Sequence, residues 1–293
     1  MKIEHIFIAG CKQDFRWTQC CVASIRRWYP CVRISLLKDL SRGCYDTSEM
    51  ETYWDVAIAP GTTHNFGWGM AKLEPLFAAT GERVLVLDSD ILFLDPVLDA
   101  LEPFDEDFIV DDHVQPEANI DLYYFDRIGL QALDPDFTFP GYIFNTGVLV
   151  ATSGQLTRAD FEPFVDFTPP PRLRYGSIFK CADQGILNYV ILEKAQLGRL
   201  SLRRLPLQEW AGYISPRSVR IRNLHEHSPY RYILHYAGPK KTLFSANRNG
   251  HLLRHFEAAY YDHLPQGRRR RCRDRLHRLL DVIRRRLSWT QYI

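Results

Sequence analysis

The sequence predicts an α/β fold with a mostly parallel sheet, on the basis of three patterns in its N-terminal third. Residues 5–10 and 32–37 are strand-like runs, and residues 17–28 between them have apolar side chains at helical spacing. A strand, a helix and a strand in this order place two parallel strands in one sheet. Residues 84–87 are wholly apolar, as expected of a strand buried on both faces. The glycine fingerprint of dinucleotide-binding folds is missing after the first strand, which argues against NAD as a ligand.

The later elements continue this alternation without an internal repeat. We expect further strands at 55–59, 108–110, 144–150, 200–207 and 232–236, and further helices at 66–80, 156–167, 182–195 and 250–261. Residues 113–141 form an irregular segment rich in Asp, Pro and aromatic residues. The simplest division is one large domain over 1–265 and a basic amphipathic tail over 266–293.

Composition and cysteine use are those of an ordinary globular chain. Of the 293 residues, 46% are hydrophobic and 25% are charged. No run approaches the roughly 20 apolar residues that span a bilayer, and the N-terminus has no signal-peptide pattern. The seven cysteines are scattered without the spacing of a metal finger. We therefore expect reduced thiols and a cytoplasmic location.

The tail carries most of the charge asymmetry. Residues 267–293 contain ten Arg and two Asp, a balance of +8, which leaves −6 for the rest of a chain whose net charge is +2. Five apolar residues in the tail form a stripe at helical spacing, namely Leu276, Leu279, Leu280, Ile283 and Leu287. With Trp289 and Tyr292 near its end, such a helix is typical of binding in the plane of an anionic membrane, here the inner face. The alternative is a helix that docks on the core with its basic face in water. No motif for reading nucleic acid accompanies the charge, so nucleic acid is not an expected partner.

Two carboxylates follow the apolar run 84–87. Asp88 and Asp90 are one residue apart, and alternate side chains of an extended chain share a face. Open α/β sheets bind their ligands at the carboxyl ends of strands, which is where this pair falls. Two like charges at the edge of a core are costly unless a cation compensates them. A divalent metal that carries a phosphate is the simplest partner, and a polar surface turn is the alternative.

Further polar motifs occur in a fixed order along the chain. They are Lys72 before the Asp pair, and after it Asn145-Thr146-Gly147, Asp183-Gln184, and His235 followed by Gly238 and Lys241. With Asp88 and Asp90, this ordered set resembles nucleotide-sugar-dependent glycosyltransferases of the GT-A fold. It is most similar to the retaining family 8 group, which includes bacterial lipopolysaccharide galactosyltransferases and glycogenin. The resemblance covers most of residues 1–245 and implies a Rossmann-like, mostly parallel sheet.

The resemblance implies a Mn²⁺ site, with Mg²⁺ as the alternative ion. Its ligands would be Asp88, Asp90 and His235, and an imidazole among them favours Mn²⁺ over Mg²⁺. The metal would bridge the diphosphate of a UDP-sugar and neutralise charge on the leaving group. The resemblance also implies a set of donor-binding residues: Ala9 and Asp39 near the base or ribose, Lys72 and Lys241 on the phosphates, Gly238 beside them, Asp88 also near the ribose, and Asn145 and Gly147 near the sugar.

The same resemblance implies the reaction. A hexose would move from the UDP-sugar to a hydroxyl of a glycan or glycolipid, with retention of the anomeric configuration. Asp183 and Gln184 would face the reacting carbon and stabilise an oxocarbenium-like state, and neither would act as a nucleophile. The sequence departs from the family pattern where Gly185 follows Gln184 and where Thr242 follows Lys241. These departures leave the donor sugar open, and we place acceptor contacts in 113–141.

Simpler interpretations exist for several of these residues. Asp183 is also a typical helix N-cap, His235 a typical core histidine, and Lys72 a typical solvated helix residue. Asp111 and Asp112 have the pattern of a solvated strand end.

Other activities are compatible with parts of the pattern. His251 and His255 have the spacing of a zinc pair on a helix, but no third ligand or general-base glutamate accompanies them. Asp-x-Asp also occurs in haloacid-dehalogenase-type phosphatases, where it normally ends the first strand of the fold. A non-catalytic module that binds a nucleotide or a membrane is the remaining hypothesis.

Overall fold

The computed structural model describes residues 1–60, 66–67, 69–215, 217–225 and 228–289, without the side chains of 279 and 281–289. The strands in this part of the chain are β1 His5–Cys11, β2 Arg33–Asp39, β3 Val56–Ile58, β4 Arg83–Asp88, β5 Ile91–Phe93, β6 Phe108–Asp111, β7 Val148–Thr152, β8 Val165–Asp166, β9 Arg172–Leu173, β10 Leu202–Leu205, β11 Gln208–Trp210 and β12 Ile233–His235. The α-helices are α1 Phe15–Trp28, α2 Ser48–Trp54, α3 Glu74–Phe77, α4 Glu117–Tyr123, α5 Arg127–Leu133, α6 Arg158–Phe161, α7 Asp183–Gln196, α8 Gly250–Asp262 and α9 Gly267–Trp289.

The main sheet has seven strands in the order β10-β6-β7-β4-β1-β2-β3. Its strands are parallel except β7, which pairs antiparallel with both β4 and β6. The sequence therefore predicted the mostly parallel sheet correctly. β4 lies at the centre, so its side chains face packed layers on both sides. That position explains why residues 84–87 are wholly apolar.

The two faces of β4 contribute to two hydrophobic cores. Leu85 and Leu87 pack in the core that contains α1 and α8, whereas Val84 and Val86 pack in the core that contains α7. All four are at most 1% exposed. Burying side chains of this size stabilises the fold by about 1.5–3 kcal/mol each. The C-terminal end of β4 is thereby held rigidly between the two layers.

A second, three-stranded sheet extends from the end of β4. It has the order β11-β12-β5, with β12 antiparallel to β5 and parallel to β11. β5 follows β4 after a two-residue turn and is fixed to α1, because the Phe93 amide donates to the Ser24 hydroxyl at 3.0 Å. This sheet brings late residues of the chain against the end of β4.

Three predicted elements differ from the observed ones. The helix expected at 66–80 is a 3₁₀ turn, Met70–Leu73, followed by the single turn α3, because Gly69 is left-handed (φ 76°) and Pro75 can start a helix but not continue one. The strand expected at 144–150 begins at Val148, since the preceding residues form a polar turn. The helix expected at 156–167 is limited to α6, and the chain then enters the β8–β9 hairpin.

Three further expectations can be compared with the structure directly. None of the helices in the described part of the chain is long and apolar enough to cross a bilayer. The seven cysteines are all free thiols. The segment 113–141, expected to be irregular, contains the short helices α4 and α5.

The helix α9 docks on the body of the protein through its arginines. The Glu257 carboxylate on α8 is 1% exposed and forms ion pairs with four arginines, namely Arg16 at 2.7 Å, Arg278 at 3.3 Å, Arg275 at 3.5 Å and Arg271 at 3.7 Å. By contrast, Leu276 and Leu280 are 55% and 41% exposed. The described part of α9 therefore contacts α8 with charged side chains and leaves these two leucines in solvent. Leu279, Ile283, Leu287, Trp289 and Tyr292 of the predicted stripe and its end lie outside the described side chains.

We expect Glu257→Gln to lower the free energy of unfolding at pH 7 by about 3 kcal/mol, since a buried ion-pair partner is lost. Burial alone would raise the pKa of Glu257, but Arg16, Arg278 and Arg271 hold it below its usual value. The stabilisation is thus present at neutral pH and is lost as the pH falls through the lowered pKa of the folded state. Urea unfolding between pH 7 and pH 3 should show the two proteins converging at the acidic end.

The matched control for this measurement is Glu162→Gln, a change at an exposed position of the same chain. It should leave the unfolding curve within about 0.5 kcal/mol of the parent. Equal stability of the Glu257 variant and the parent at pH 7 would contradict the anchoring role.

Candidate active site

Three potential metal ligands converge at the end of β4. Asp88 is the last residue of β4, Asp90 lies in the turn before β5, and His235 is the last residue of β12, opposite Ile91 of β5. The His235 Nε2 atom lies 3.3 Å from Asp90 Oδ1 and 3.8 Å from Asp88 Oδ2. The two carboxylates converge because the chain turns at 89–90, not because they alternate along an extended strand as the sequence argument assumed.

The donor set fits a divalent cation. One ligand atom from each of Asp88, Asp90 and His235 lies within 4.8 Å of the others, and among the described residues this is the only such group of three or more His, Cys, Asp or Glu. In octahedral coordination at about 2.1 Å, ligand atoms are about 3 Å apart when adjacent and about 4 Å apart when opposite. The observed separations of 3.3 and 3.8 Å lie in this range. Carboxylate oxygens and an imidazole nitrogen are common ligands of Mn²⁺.

The net charge around this group also favours a bound cation. Asp88 and Asp183 flank the Lys72 ammonium at 2.9 and 2.6 Å. Asp90 and Asp14 flank the Lys240 ammonium at 3.2 and 3.1 Å. When all four carboxylates are ionised and His235 is neutral, as in a metal-bound site, they and the two ammonium groups leave two negative charges, which one divalent ion would balance. Burial alone would raise the pKa of Asp90, but His235 in its protonated form and Lys240 lower it below its usual range, so the carboxylate is ionised as a metal ligand must be.

Lys72 is buried and forms ion pairs with Asp88 and Asp183, so it is not a solvated helix residue. Its side chain is 3% exposed, and its ammonium also donates to the Thr146 carbonyl at 3.2 Å. Burial alone would lower the pKa of Lys72, but Asp183 and Asp88 raise it well above its usual value. Asp183 does not cap α7, since Ala182 occupies the N-cap position and no side-chain cap bond forms. Its carboxylate instead accepts from Lys72 and from the Thr146 hydroxyl at 2.8 Å.

The polar turn before β7 connects the metal group to α7. Asn145 Oδ1 accepts from the Gly147 amide at 2.8 Å, and Asn145 Nδ2 donates to Gln184 Oε1 at 2.8 Å. Position 147 has no space for a side chain, because a Cβ there would lie 2.4 Å from His235 Cε1 and 2.9 Å from Asp88 Oδ2. At Gly69, likewise, a Cβ would lie 1.8 Å from the Asp183 Oδ1 atom.

These residues line a cleft of about 800 Å³. Of the residues predicted from the sequence, the cleft is lined by Ala9, Asp39, Lys72, Asp88, Asp90, Asn145, Asp183, Gln184, His235 and Gly238. Gly238 has φ 90°, a left-handed backbone that favours glycine. Gly147 does not line the cleft itself but lies against two residues that do, His235 and Asp88. The cleft thus joins the metal group to the residues predicted for the nucleotide and the sugar.

Lys240, and not Lys241, has its ammonium in the cleft. Lys241 is exposed, and its backbone amide donates to Asn247 Oδ1 at 3.0 Å. Burial alone would lower the pKa of Lys240, but Asp90 and Asp14 raise it above its usual value. The sequence motif of His235, Gly238 and Lys241 assigned the phosphate contact to Lys241, although Lys240 lies directly beside it in the sequence.

Sequence reasoning also missed two residues behind His235. Gln208 Oε1 accepts from His235 Nδ1 at 2.8 Å, and Gln208 Nε2 donates to Asp111 Oδ2 at 3.1 Å. Asp111 is 1% exposed, so the interpretation as a solvated strand end was wrong for this residue. Trp210 stacks on the His235 ring, with centroids 5.0 Å apart. No short motif marks Gln208, because its role arises only from the pairing of β11 with β12.

The alternative zinc pair has no support in the described structure. His251 Nε2 is hydrogen-bonded to the Val219 carbonyl at 2.8 Å, and neither His251 nor His255 belongs to a metal-type cluster of the described residues.

Comparison with known proteins identifies the fold. No family model matches the sequence, and no curated protein matches it. Among solved structures, the galactosyltransferase LgtC, in complex with donor and acceptor sugar analogues, matches at 14% identity and a TM-score of 0.50, over 86% of this chain and 95% of that one. The chain has the GT-A glycosyltransferase fold.

Other GT-A neighbours are longer proteins. The bifunctional glycosyltransferase WbbM matches at 13% identity and a TM-score of 0.56, over 88% of this chain and 50% of that one. The glycosyltransferase GlyE of Streptococcus pneumoniae TIGR4 matches at 16% identity and a TM-score of 0.52, over 87% of this chain and 60% of that one. The chain thus spans half of WbbM and three fifths of GlyE. The GT-A fold inferred from the sequence is confirmed by this likeness.

We expect Gly147→Ala to weaken Mn²⁺ binding by about 10–100-fold, the range seen when groups that orient metal ligands are altered. The added methyl would displace His235 or Asp88, and no unusual backbone angle at 147 complicates the change. Isothermal titration with Mn²⁺ measures the effect. Gly176→Ala is the control, since a Cβ at Gly176 meets nothing within 4 Å. An unchanged affinity in the Gly147 variant would show that these residues do not bind the ion.

Proposed function

We propose that the protein is a metal-dependent glycosyltransferase that moves a hexose from a UDP-sugar to a hydroxyl of a glycan or glycolipid, with retention. The observation that carries the proposal is the convergence of Asp88, Asp90 and His235 in a cleft of a GT-A fold. A bound Mn²⁺, with Mg²⁺ as the alternative, would neutralise charge on the departing nucleoside diphosphate. The other roles, which are binding of the diphosphate and stabilisation of the reacting sugar, are assigned to side chains of this chain.

Lys240 and Lys72 have different parts in the proposal. Lys240 is 28% exposed in its side chain and is available to a diphosphate at the cleft surface. Lys72 is held by two carboxylates and a carbonyl, so its charge stabilises Asp88 and Asp183 and reaches a ligand only through them. Ala9, Asp39 and Gly238 line the same cleft, in support of the base, ribose and phosphate positions implied by the family. The sequence motif also assigns a phosphate contact to Lys241.

Asp183 and Gln184 are the residues we propose on the sugar side. Asp183 is 4% exposed and fixed by Lys72 and Thr146. The Gln184 amide is held at both ends, by Asn145 Nδ2 at 2.8 Å and by the Tyr123 carbonyl at 3.0 Å. Such fixed dipoles stabilise positive charge as it develops at the anomeric carbon, at no cost of reorganisation during the reaction. Neither residue needs to form a covalent bond to the sugar for this role.

The acceptor is proposed to bind between aromatic side chains at the cleft mouth. Tyr123 and Tyr213 line the cleft and are 49% and 71% exposed. Tyr123 and Gln115 belong to the segment 113–141 that the sequence analysis assigned to the acceptor. Exposed aromatic faces next to polar groups suit the mixed apolar and hydroxyl surface of a sugar ring.

The tail is proposed to hold the enzyme at an anionic membrane, in keeping with a lipid-linked acceptor. Leu276 and Leu280 are exposed on α9, whereas Arg271, Arg275 and Arg278 are paired with Glu257. Arg268 and Arg269 are exposed on the same helix. Exposed leucines beside basic side chains are what an amphipathic helix presents to a lipid surface. In this proposal 266–293 is an attachment segment and 1–265 the catalytic domain.

The decisive experiment is a donor screen. We expect UDP release from one or a few UDP-hexoses, dependent on Mn²⁺ or Mg²⁺ and reduced at least 100-fold by Asp90→Asn, because one metal ligand becomes neutral. Product analysis by NMR reports whether the anomeric configuration is retained. Phosphate release from an aryl phosphate with no sugar transfer would favour the phosphatase hypothesis, and UDP binding without turnover of any donor would favour a non-catalytic module.

A pair of lysine variants distinguishes the two phosphate candidates. We expect Lys240→Ala to raise the Kd for UDP with Mn²⁺ by at least tenfold, since a hydrogen bond to a charged group contributes about 1.5–3 kcal/mol. Lys241→Ala should have a smaller effect, because the Lys241 side chain does not line the cleft. The reverse order of effects would favour the sequence motif over the observed geometry.

Membrane attachment is tested with vesicles. We expect the wild-type chain to sediment with vesicles that contain phosphatidylglycerol and not with pure phosphatidylcholine. The double change Leu276→Ser and Leu280→Ser should weaken binding at least tenfold, because each buried leucine contributes about 1.5–3 kcal/mol. Leu197→Ser alters another exposed leucine, 50% accessible and outside α9, and should have no effect. Equal binding by all three proteins would contradict the attachment proposal.

A further inference from the structure

Three side-chain amides form a continuous hydrogen-bonded chain across the site. Gln184 Nε2 donates to the Tyr123 carbonyl at 3.0 Å, and Asn145 Nδ2 donates to Gln184 Oε1 at 2.8 Å. Gln208 Nε2 donates to Asn145 Oδ1 at 3.3 Å, and His235 Nδ1 donates to Gln208 Oε1 at 2.8 Å. This amide chain (Gln184, Asn145 and Gln208) links the candidate sugar-side residue to the candidate metal ligand.

The direction of the amide chain is fixed by groups that have only one hydrogen-bonding role. A backbone carbonyl only accepts, so Gln184 must turn its NH₂ group to Tyr123. A backbone amide only donates, so Asn145 must turn its oxygen to Gly147. The atom of Gln208 that faces the Asn145 oxygen must then be its nitrogen.

Asp111 fixes the Gln208 amide independently. Asp111 Oδ1 accepts from the backbone amides of Leu207 and Gln208 at 3.1 and 3.3 Å, which ties the carboxylate to the start of β11. Asp111 Oδ2 accepts from Gln208 Nε2 at 3.1 Å. Burial raises the pKa of Asp111. In its ionised form the carboxylate cannot donate, so the contact then again requires the nitrogen of Gln208 on that side. Two separate contacts therefore give the same amide orientation.

The orientation of Gln208 determines the tautomer of His235. Gln208 presents an oxygen to Nδ1, so Nδ1 carries the hydrogen of the neutral ring. Nε2 then has a free lone pair, and it points at Asp88 and Asp90, at 3.8 and 3.3 Å. A bare nitrogen among carboxylate oxygens is the form of histidine that binds a cation.

We propose that Gln208, oriented by Asp111, is a positioning residue that holds His235 in its metal-binding tautomer and joins it to Gln184 through Asn145. This inference rests on the metal site of the proposed function. It extends that function to residues that never touch the metal or the sugar. A purely structural Gln208 would affect stability but would leave the tautomer and the metal affinity unchanged.

The tautomer is measured on the metal-free protein. Ring ¹⁵N shifts of His235, assigned with a His235→Gln variant and recorded at alkaline pH where the ring is neutral, should show the proton on Nδ1. In Gln208→Leu, which cannot accept from Nδ1, we expect the population to shift towards the Nε2–H form. A wild-type ring with its proton on Nε2 overturns the proposal, whatever the variants do.

Metal affinity supplies the second readout. Titration with Mn²⁺, followed by the loss of the free-ion EPR signal, should show a Kd about 10–100-fold higher in Gln208→Leu. Asp111→Asn should act in the same direction, because its new NH₂ group would compete for the Gln208 oxygen and oppose the orientation that His235 needs. Gln131→Leu is the control, since Gln131 is exposed and its side chain donates to the Pro135 carbonyl at 2.8 Å, away from the site. Wild-type affinity in folded Gln208→Leu overturns the proposal.

The two tests separate this inference from the proposed function. If the wild-type chain binds no Mn²⁺ or Mg²⁺, the metal-dependent function fails, and the tautomer measurement still decides whether Gln208 orients His235. If wild type binds Mn²⁺ and both variants bind it equally well, the function stands and the positioning role is wrong.

Discussion

The concentration of negative charge at the end of β4 is the constraint on which the rest of the site depends. Asp88 and Asp90 lie at the edge of a core whose strand is almost completely buried. The fold compensates them with two ammonium groups, from Lys72 and Lys240, and places the imidazole of His235 beside them. Lys72 precedes β4, whereas His235 and Lys240 come from one late segment, so the site exists only when the sheets are assembled. The net negative charge that remains favours the binding of a divalent cation there.

The sequence predicted best what depends on local patterns. The central strands, α1, α7 and α8 were found because apolar periodicity and neighbouring turn residues define them. The grouping of Asp88, Asp90 and His235 was expected from the family resemblance, which rests on short motifs in a fixed order. The helix expected at 66–80 failed because Gly69 and Pro75 limit helix formation despite the apolar spacing.

The rest of the site could not be predicted because it depends on contacts between distant segments. Asp111 was interpreted as solvated, but it is buried, because β10 pairs with its strand and the Leu207 amide before β11 donates to its carboxylate. Gln208 has no motif of its own, and only the pairing of β11 with β12 brings it behind His235. The choice between Lys240 and Lys241 depends on the backbone path after Gly238. The direction of a side chain in an irregular loop cannot be predicted from a periodic sequence pattern.

The environment of Lys72 restricts the chemistry that is open to this site. Its ammonium is surrounded by two carboxylates and a carbonyl oxygen, and its raised pKa keeps it protonated at physiological pH. A protonated amine has no lone pair, so Lys72 can neither attack an electrophile, form an imine with a carbonyl compound, nor remove a proton from an incoming hydroxyl. Its positive charge is permanent, and its contribution is that of a counter-ion built into the scaffold.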